Sequence, residues 1–226
     1  MIRILSVLVV AVFSAQLSAA DPDQQAVFSA GQAGYHTFRI PAVIGTKHGS
    51  LLAFCVGRKS GRGDSADIDL VLRRSFDGGR TWQPIQLVWD DGQNTCGNPC
   101  PVVDQRDGTI WLLLTHNLGD DSEAEIVDGR SRGSRTCWVC NSRDDGASWT
   151  KPIEITLKVK QPDWTWYATG PGIGIQLAGG RLVIPCDNKV AVSKARQAHV
   201  IFSTCPRTTP CFEKCSPPSG LVPVER

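Results

Sequence analysis

Apolar and polar positions alternate over short stretches of this chain, and no segment sustains the three- to four-residue apolar spacing of a helix. From Pro41 onward, β-rich runs recur between clusters of Gly, Asp, Asn and Pro. The pattern predicts strands at Pro41 to Ile44, Leu51 to Val56, Leu70 to Arg74 and Ile85 to Trp89. A second series follows at Val102 to Val103, Thr109 to Thr115, Cys137 to Asn141 and Ile153 to Leu157. A third runs through Gly174 to Leu177, Arg181 to Cys186 and His199 to Phe202. The expected class is all-β, in series of up to four strands.

Two turns share one motif. Ser75, Asp77, Gly79, Thr81 and Trp82 fit Ser-x-Asp-x-Gly-x-Thr-Trp, and Ser142, Asp144, Gly146, Ser148 and Trp149 repeat it with Ser for Thr. Each copy stands between the third and fourth strand of its series. An aspartate there accepts N–H bonds within its own turn, glycine takes a positive φ, and tryptophan covers the hairpin with a large apolar face. Both copies are therefore expected to be structural. A four-stranded unit repeated at this spacing predicts a β-propeller, whose blades bury their faces against neighbouring blades.

The first residues stand apart. Arg3 precedes the apolar run Ile4 to Phe13, and small residues ending in Ser18, Ala19 and Ala20 follow. This is the order of a secretory signal peptide, so residues 1–20 are assigned to one and the protein is expected to be secreted, periplasmic or extracellular. The apolar run is shorter than the ~20 residues that span a bilayer, so no membrane span is expected after cleavage.

Composition narrows the partners. Twenty-four Lys and Arg stand against 22 Asp and Glu, a net charge of +2 over 226 residues, and 41% hydrophobic residues suffice for a core. That balance does not supply the basic excess that displaces counterions from phosphates, so no nucleic-acid partner is expected. An anionic ligand would have to be held by a local arginine cluster. Nine cysteines leave at least one unpaired, and buried free thiols or a bridge from Cys96 to Cys100 are expected. A zinc site from Cys96, Cys100, Cys137 and Cys140 is disfavoured, because the odd separation of Cys137 and Cys140 on a strand turns their sulfurs to opposite faces. No metal is expected.

The repeated turns are similar to the Asp boxes of sialidases. Phe38-Arg39-Ile40-Pro41 resembles the Phe/Tyr-Arg-Ile-Pro motif before that family's first blade. Gly57-Arg58, Asp64 and Val71-Leu72-Arg73-Arg74-Ser75 keep the family's order into the first box, and Asn98-Pro99-Cys100-Pro101 and Thr169-Gly170-Pro171-Gly172 look like further active-site loops. The resemblance covers about Gln32 to Phe202. It implies a six-bladed propeller, here incomplete at about two and a half blades. The implied activity is that of an exo-α-sialidase, a retaining glycosidase that needs no cofactor. Its partners would be sialylated glycoproteins, glycolipids or oligosaccharides.

The resemblance also implies site residues. Arg39 would be the first arginine of a triad that grips the substrate carboxylate, a task for which a planar guanidinium suits better than an ammonium. Arg58 would lie on the rim, supporting the acid or the carboxylate. Asp64, in the small-residue loop Ser60 to Asp67, would be the general acid and base, with Asp67 and Asp69 as competitors. Asn98 and Tyr167 would line the pocket for the glycerol and N-acetyl arms, with Trp164 and Trp166 near them. Tyr35 is expected to pack and Tyr167 not to be the nucleophile, which in the family comes from a later part of the propeller.

At Ser203 the chain departs from the family. A third box should open there, but Thr204, Cys205, Pro206 and Arg207 follow instead. Residues 21–203 are thus read as a partial propeller and 204–226 as a Cys- and Pro-rich tail outside it. A shifted reading frame or truncation in the gene of a longer enzyme is the expected cause, with little or no turnover of a sialoside by this chain. A non-catalytic glycan-binding or interaction module is the other reading, because Asp boxes also occur in propellers that hydrolyse nothing. A trans-sialidase or an intramolecular lyase would use the same early residues.

Overall fold

A computed structural model describes residues 24–191, 196–203 and 212–214. The signal-peptide assignment, Cys205, Cys211, Cys215 and most of the tail lie outside the described residues. The first series forms an antiparallel meander of β1 (Thr37–Gly45), β2 (Leu51–Arg58), β3 (Ile68–Ser75) and β4 (Gln86–Trp89). The second forms another from β5 (Thr95–Val103), β6 (Ile110–Asn117), β7 (Thr136–Ser142) and β8 (Ile153–Glu154). A single parallel pair, Ile68 with Thr95, joins them. In the third, β9 (Trp164–Thr169) and β10 (Ile175–Gln176) both pair with β11 (Leu182–Val190). From there the order continues to β12 (Arg196–Ser203) and β13 (Phe212–Lys214).

The meanders pack through two cores. Leu52, Phe54 and Val56 of β2 and Leu70 and Leu72 of β3 meet Ile110, Leu112 and Leu114 of β6 in the first. The intervening β6 residues, Trp111 and Leu113, face the second core with Tyr167, Leu182, Ile184 and Ile201. Strand period two explains the sorting, and burial of both faces explains why β2 and β6 read as unbroken apolar runs.

Several expectations change. Two short helices interrupt the all-β pattern, α1 (Glu123–Val127) and α2 (Thr156–Val159). The first begins with a capping box, in which the Ser122 hydroxyl accepts from the Glu125 N–H and the Glu125 carboxylate accepts from the Ser122 N–H. The second replaces the expected end of the strand Ile153 to Leu157. There the Thr156 hydroxyl accepts from the Cys137 N–H at 2.9 Å, taking the place of a ladder carbonyl, and Val159 turns into the second core.

The expected loop at Asn98 to Pro101 is part of β5. A bulge between Gly97 and Cys100 accommodates Asn98 and Pro99 and flips the following side chains to the other face. Cys96 thereby lies in the first core and Cys100 in the second. The bridge between them, one of the two expectations, is excluded by that separation, and both are free buried thiols. Cys140 and Cys137 are likewise divided between the two cores.

The expected tail also contributes a strand. Phe212 is buried in the second core, edge-on to Trp111 with ring centroids 5.5 Å apart. Phe-Glu-Lys is free of proline and can pair on one edge, which the surrounding proline density had obscured.

Both Asp boxes adopt one geometry at the β3–β4 and β7–β8 turns. The serine hydroxyl donates to the aspartate at 2.8 Å and accepts from the glycine N–H at 2.9 Å in each copy. The aspartate then accepts from the backbone N–H of Thr81 or Ser148 at 2.9 Å. Gly79 and Gly146 sit at φ +90° and +79°. Trp149 packs edge-on against Phe54 at 5.6 Å.

Candidate functional site

Two bulges of the same design shape one cavity. In β1 the register slips between Arg39 and Ala42, in β5 between Gly97 and Cys100. At each a residue with positive φ precedes a proline: Ile40 at +55° before Pro41, and Asn98 at +53° before Pro99. Such backbone is disfavoured for a β-branched residue, and bulges re-aim side chains beside functional sites. Arg39, Ile40 and Asn98 all line a cavity of about 250 Å³.

Three predicted site residues meet there. Arg39 Nη1 lies 2.9 Å from Asp64 Oδ1, and Arg58 Nη2 lies 2.5 Å from the same oxygen. Arg58 is buried and organises the loop that bears Asp64, because its Nη1 donates to the carbonyls of Arg62 and Gly63 at 2.5 Å each. Arg39 and Asp64 are half-exposed, with side chains 45% and 53% accessible. Burial works to raise the pKa of Asp64, but the hydrogen bond and charge of Arg58, then those of Arg39, outweigh it and hold the carboxyl below its usual range. In this state Asp64 is an ionised acceptor.

Its competitors point elsewhere. Lys59 Nζ lies 3.1 Å from Asp67 and 3.2 Å from Asp69, and the Tyr35 hydroxyl donates to Asp69 at 2.7 Å. Tyr35 itself packs in a small core with Cys55 and Val71, as the sequence led us to expect.

Tyr167 does not reach the cavity. It is fully buried in the second core, where its hydroxyl lies 3.1 Å from His199 Nε2. Alternation along β9 instead presents Trp166 and Ala168 to the cavity. Trp164 stacks with Tyr167 at 6.1 Å, away from the pocket wall. β9 thus borders the cavity as expected of its motif, but with Trp166 and Ala168 rather than the expected Tyr167.

Sequence reasoning missed three charged wall residues, Glu123, Arg135 and Asp187. Glu123 comes from α1 and pairs with Lys189 Nζ at 2.8 Å. The Ser122-x-x-Glu125 capping pattern was the signal that could have placed it. Arg135, at the foot of β7, is buried, and its guanidinium lies 4.4 Å above the Trp166 ring. It donates to Thr115 Oγ1 at 3.0 Å, to Asn117 Oδ1 at 2.8 Å and to Asn98 Oδ1. No motif in the sequence marked it. The cavity is therefore rimmed by Arg39 and Arg58 and backed by Arg135, a cluster suited to a carboxylate. No Asp-box residue lines it.

Comparison with known proteins places this geometry. Residues 49–214 match the BNR repeat-like domain. An exo-α-sialidase of Aspergillus fumigatus is 40% identical over 187 residues, covering 75% of this chain and 46% of the relative. A Bacteroides fragilis sialidase is 33% identical over 171 residues, covering 69% and 31%. Among solved structures, the Hadza microbial sialidase Hz136 superposes with a TM-score of 0.72 at 29% identity, over 82% of this chain and 38% of that one. The chain thus spans less than half the length of these relatives.

Proposed function

This chain belongs to the sialidase family through its BNR repeat-like domain, and from that premise we propose that its cavity is the carboxylate-gripping end of an exo-α-sialidase site. The reading is carried by the convergence of the Arg39 and Arg58 guanidiniums on one oxygen of Asp64. On this reading the three meanders are blades of a six-bladed propeller, and the protein is exported.

A sialic acid carries a carboxylate on its anomeric carbon. Bound here, that carboxylate competes with Asp64 for Arg39, whose half-exposed guanidinium is accessible where that of Arg58 is buried. Arg58 keeps Asp64 and its loop in place during the exchange, because its remaining contacts are to backbone carbonyls. Losing the Arg39 contact removes one of the influences that hold the Asp64 pKa down, while a bound sugar adds burial, which raises it. Ligand binding therefore moves Asp64 toward the protonated form that a general acid needs. Trp166 and Asn98 form the wall beside it.

Calorimetry with free sialic acid tests the reading. Wild type is expected to bind weakly and Arg39→Ala not to bind; equal binding by both would overturn it. A second reading, a sialic-acid-binding module without turnover, is favoured by one observation: among the described residues no tyrosine lines the cavity. Little or no turnover of a fluorogenic sialoside is expected from this chain. Robust turnover abolished by Asp64→Ala would establish a hydrolase and remove the second reading.

A further inference from the structure

Asn98 has an amide whose two ends are chemically opposite, an acceptor oxygen and a donor NH2, and which end faces a ligand decides what that wall can bind. The surrounding network settles the choice. Oδ1 accepts from Arg135 Nη2, and the Thr115 hydroxyl stands 3.3 Å from the same oxygen. The Thr115 oxygen itself accepts from Arg135 Nε at 3.0 Å, so its proton is available for Asn98 Oδ1 or for the Gly97 carbonyl, 3.4 Å away. A guanidinium has donors only, so the NH2 end cannot take the place of Oδ1 without setting donor against donor.

The backbone is held as firmly. The Asn98 carbonyl accepts from Thr169 Oγ1 at 2.6 Å, and the bulge keeps the residue at φ +53°. Arg135 is itself fixed by Asn117 and the Trp166 ring. Among the described residues Asn98 Nδ2 has no hydrogen-bond acceptor, and Asn98 lines the cavity half-buried.

We infer that Arg135 is a positioning residue: it locks the Asn98 amide with its oxygen inward and its NH2 toward the cavity, so that this wall selects a hydrogen-bond acceptor on the ligand. The orientation stands on the geometry alone; its consequence for sialic acid rests on the function proposed above. A carbonyl or ether oxygen satisfies the wall, and a group that can only donate leaves Nδ2 unpaired. Sites built to use a specific polar group discriminate more sharply than apolar ones.

Nuclear magnetic resonance of the isotopically labelled chain tests both parts. Without ligand, Arg135→Lys is expected to move the Asn98 side-chain Cγ and Nδ2 resonances, while backbone amides of β2 and β3 stay in place. Unmoved Asn98 side-chain resonances in a folded variant would overturn the inference. Should Arg135→Lys not fold, the wild-type chain gives the same decision: cross-relaxation between the Asn98 Nδ2 protons and the Arg135 guanidinium protons is expected to be weak with the oxygen inward, and the strong contact of facing donors would overturn the inference. On addition of free sialic acid, the Asn98 Nδ2 resonance is expected to shift in wild type and not in Arg135→Lys. Binding that shifts Arg39 and leaves Asn98 Nδ2 unmoved would overturn the acceptor-selecting role. If sialic acid shifts no cavity resonance, the functional reading fails, and the ligand-free arm still decides the orientation.

Discussion

Raising the pH from about 7.5 to about 9.5 is expected to remove most of the folding stability of this protein. Cys55, Cys96, Cys100, Cys137, Cys140 and Cys186 are free and buried. Burial pushes the Cys55, Cys140 and Cys186 thiols up to about 12, and it raises Cys96, Cys100 and Cys137 as well. In the unfolded chain a thiol ionises near about 8.5. Above that pH the unfolded state holds fewer protons than the folded one, so stability falls as pH rises. Stabilisation from these thiols is complete below about 8.5 and is lost on the way to their folded values. Each contributes about 1.4 kcal/mol per pH unit in that window, or roughly 8 kcal/mol per unit for all of them.

Lys160 opposes this in part. Its buried ammonium donates to the carbonyls of Arg135 at 2.7 Å and Thr165 at 3.1 Å, and burial lowers its pKa to about 8. Because the folded state sheds this proton first, stability from Lys160 rises between about 8 and about 10.4, by at most about 3 kcal/mol. The thiols win. Against a total of about 5–15 kcal/mol, the net loss of roughly 9 kcal/mol by about pH 10 removes most or all of the stability. Urea unfolding followed by tryptophan fluorescence, in reductant and in half-unit pH steps, measures the slope. Cys55→Ala should flatten it by about 1.4 kcal/mol per unit. Midpoints constant from about pH 8 to about 9.5 would refute the reasoning, because the thiols would then not be buried acids.

Four substitutions test other parts of the structure. Gly146→Ala places a Cβ 2.6 Å from Leu52 Cδ2 at φ +79° and should cost about 1–3 kcal/mol in chemical denaturation. Gly79→Ala, with its Cβ 3.4 Å from Leu51 Cδ1, should cost less in the same assay. Tyr35→Phe removes the 2.7 Å donor to buried Asp69, so urea unfolding should show a loss of about 1–3 kcal/mol. Arg58→Met leaves Asp64 with Arg39 alone and frees the carbonyls of Arg62 and Gly63. Hydrogen exchange of residues 60–67 should then accelerate while that of β2 is unchanged.

Much of the fold was legible because its strands are short and bounded by turn residues, and because each Asp box names its own turn chemistry. The site was legible through spacing: Arg39, Arg58 and Asp64 stand on successive elements of one meander, and the order of the motifs carried them into one pocket. What escaped depended on tertiary context. Whether Tyr167 or Trp166 faces the pocket is a matter of strand parity, which a one-residue difference inverts. The bulge at Asn98 reversed the parity of Cys100 and turned an apparent loop into a strand, and proline within the run concealed it. Arg135 reads in sequence as one more polar residue before a strand; only packing shows that it is buried among Thr115, Asn117 and Asn98.

The central claim is that Arg39 serves a ligand's carboxylate at the expense of Asp64. Titrating the Asp64 carboxyl carbon by resonance, with and without saturating sialic acid, tests it most directly. Free, Asp64 should ionise below the ordinary aspartate range, so its contribution to stability is present above about pH 3.9 and is lost as pH falls through its folded value. With ligand, the account expects its pKa to move upward, as Arg39 is drawn away and the sugar covers it. A pKa that stays put or falls in the saturated complex would contradict it.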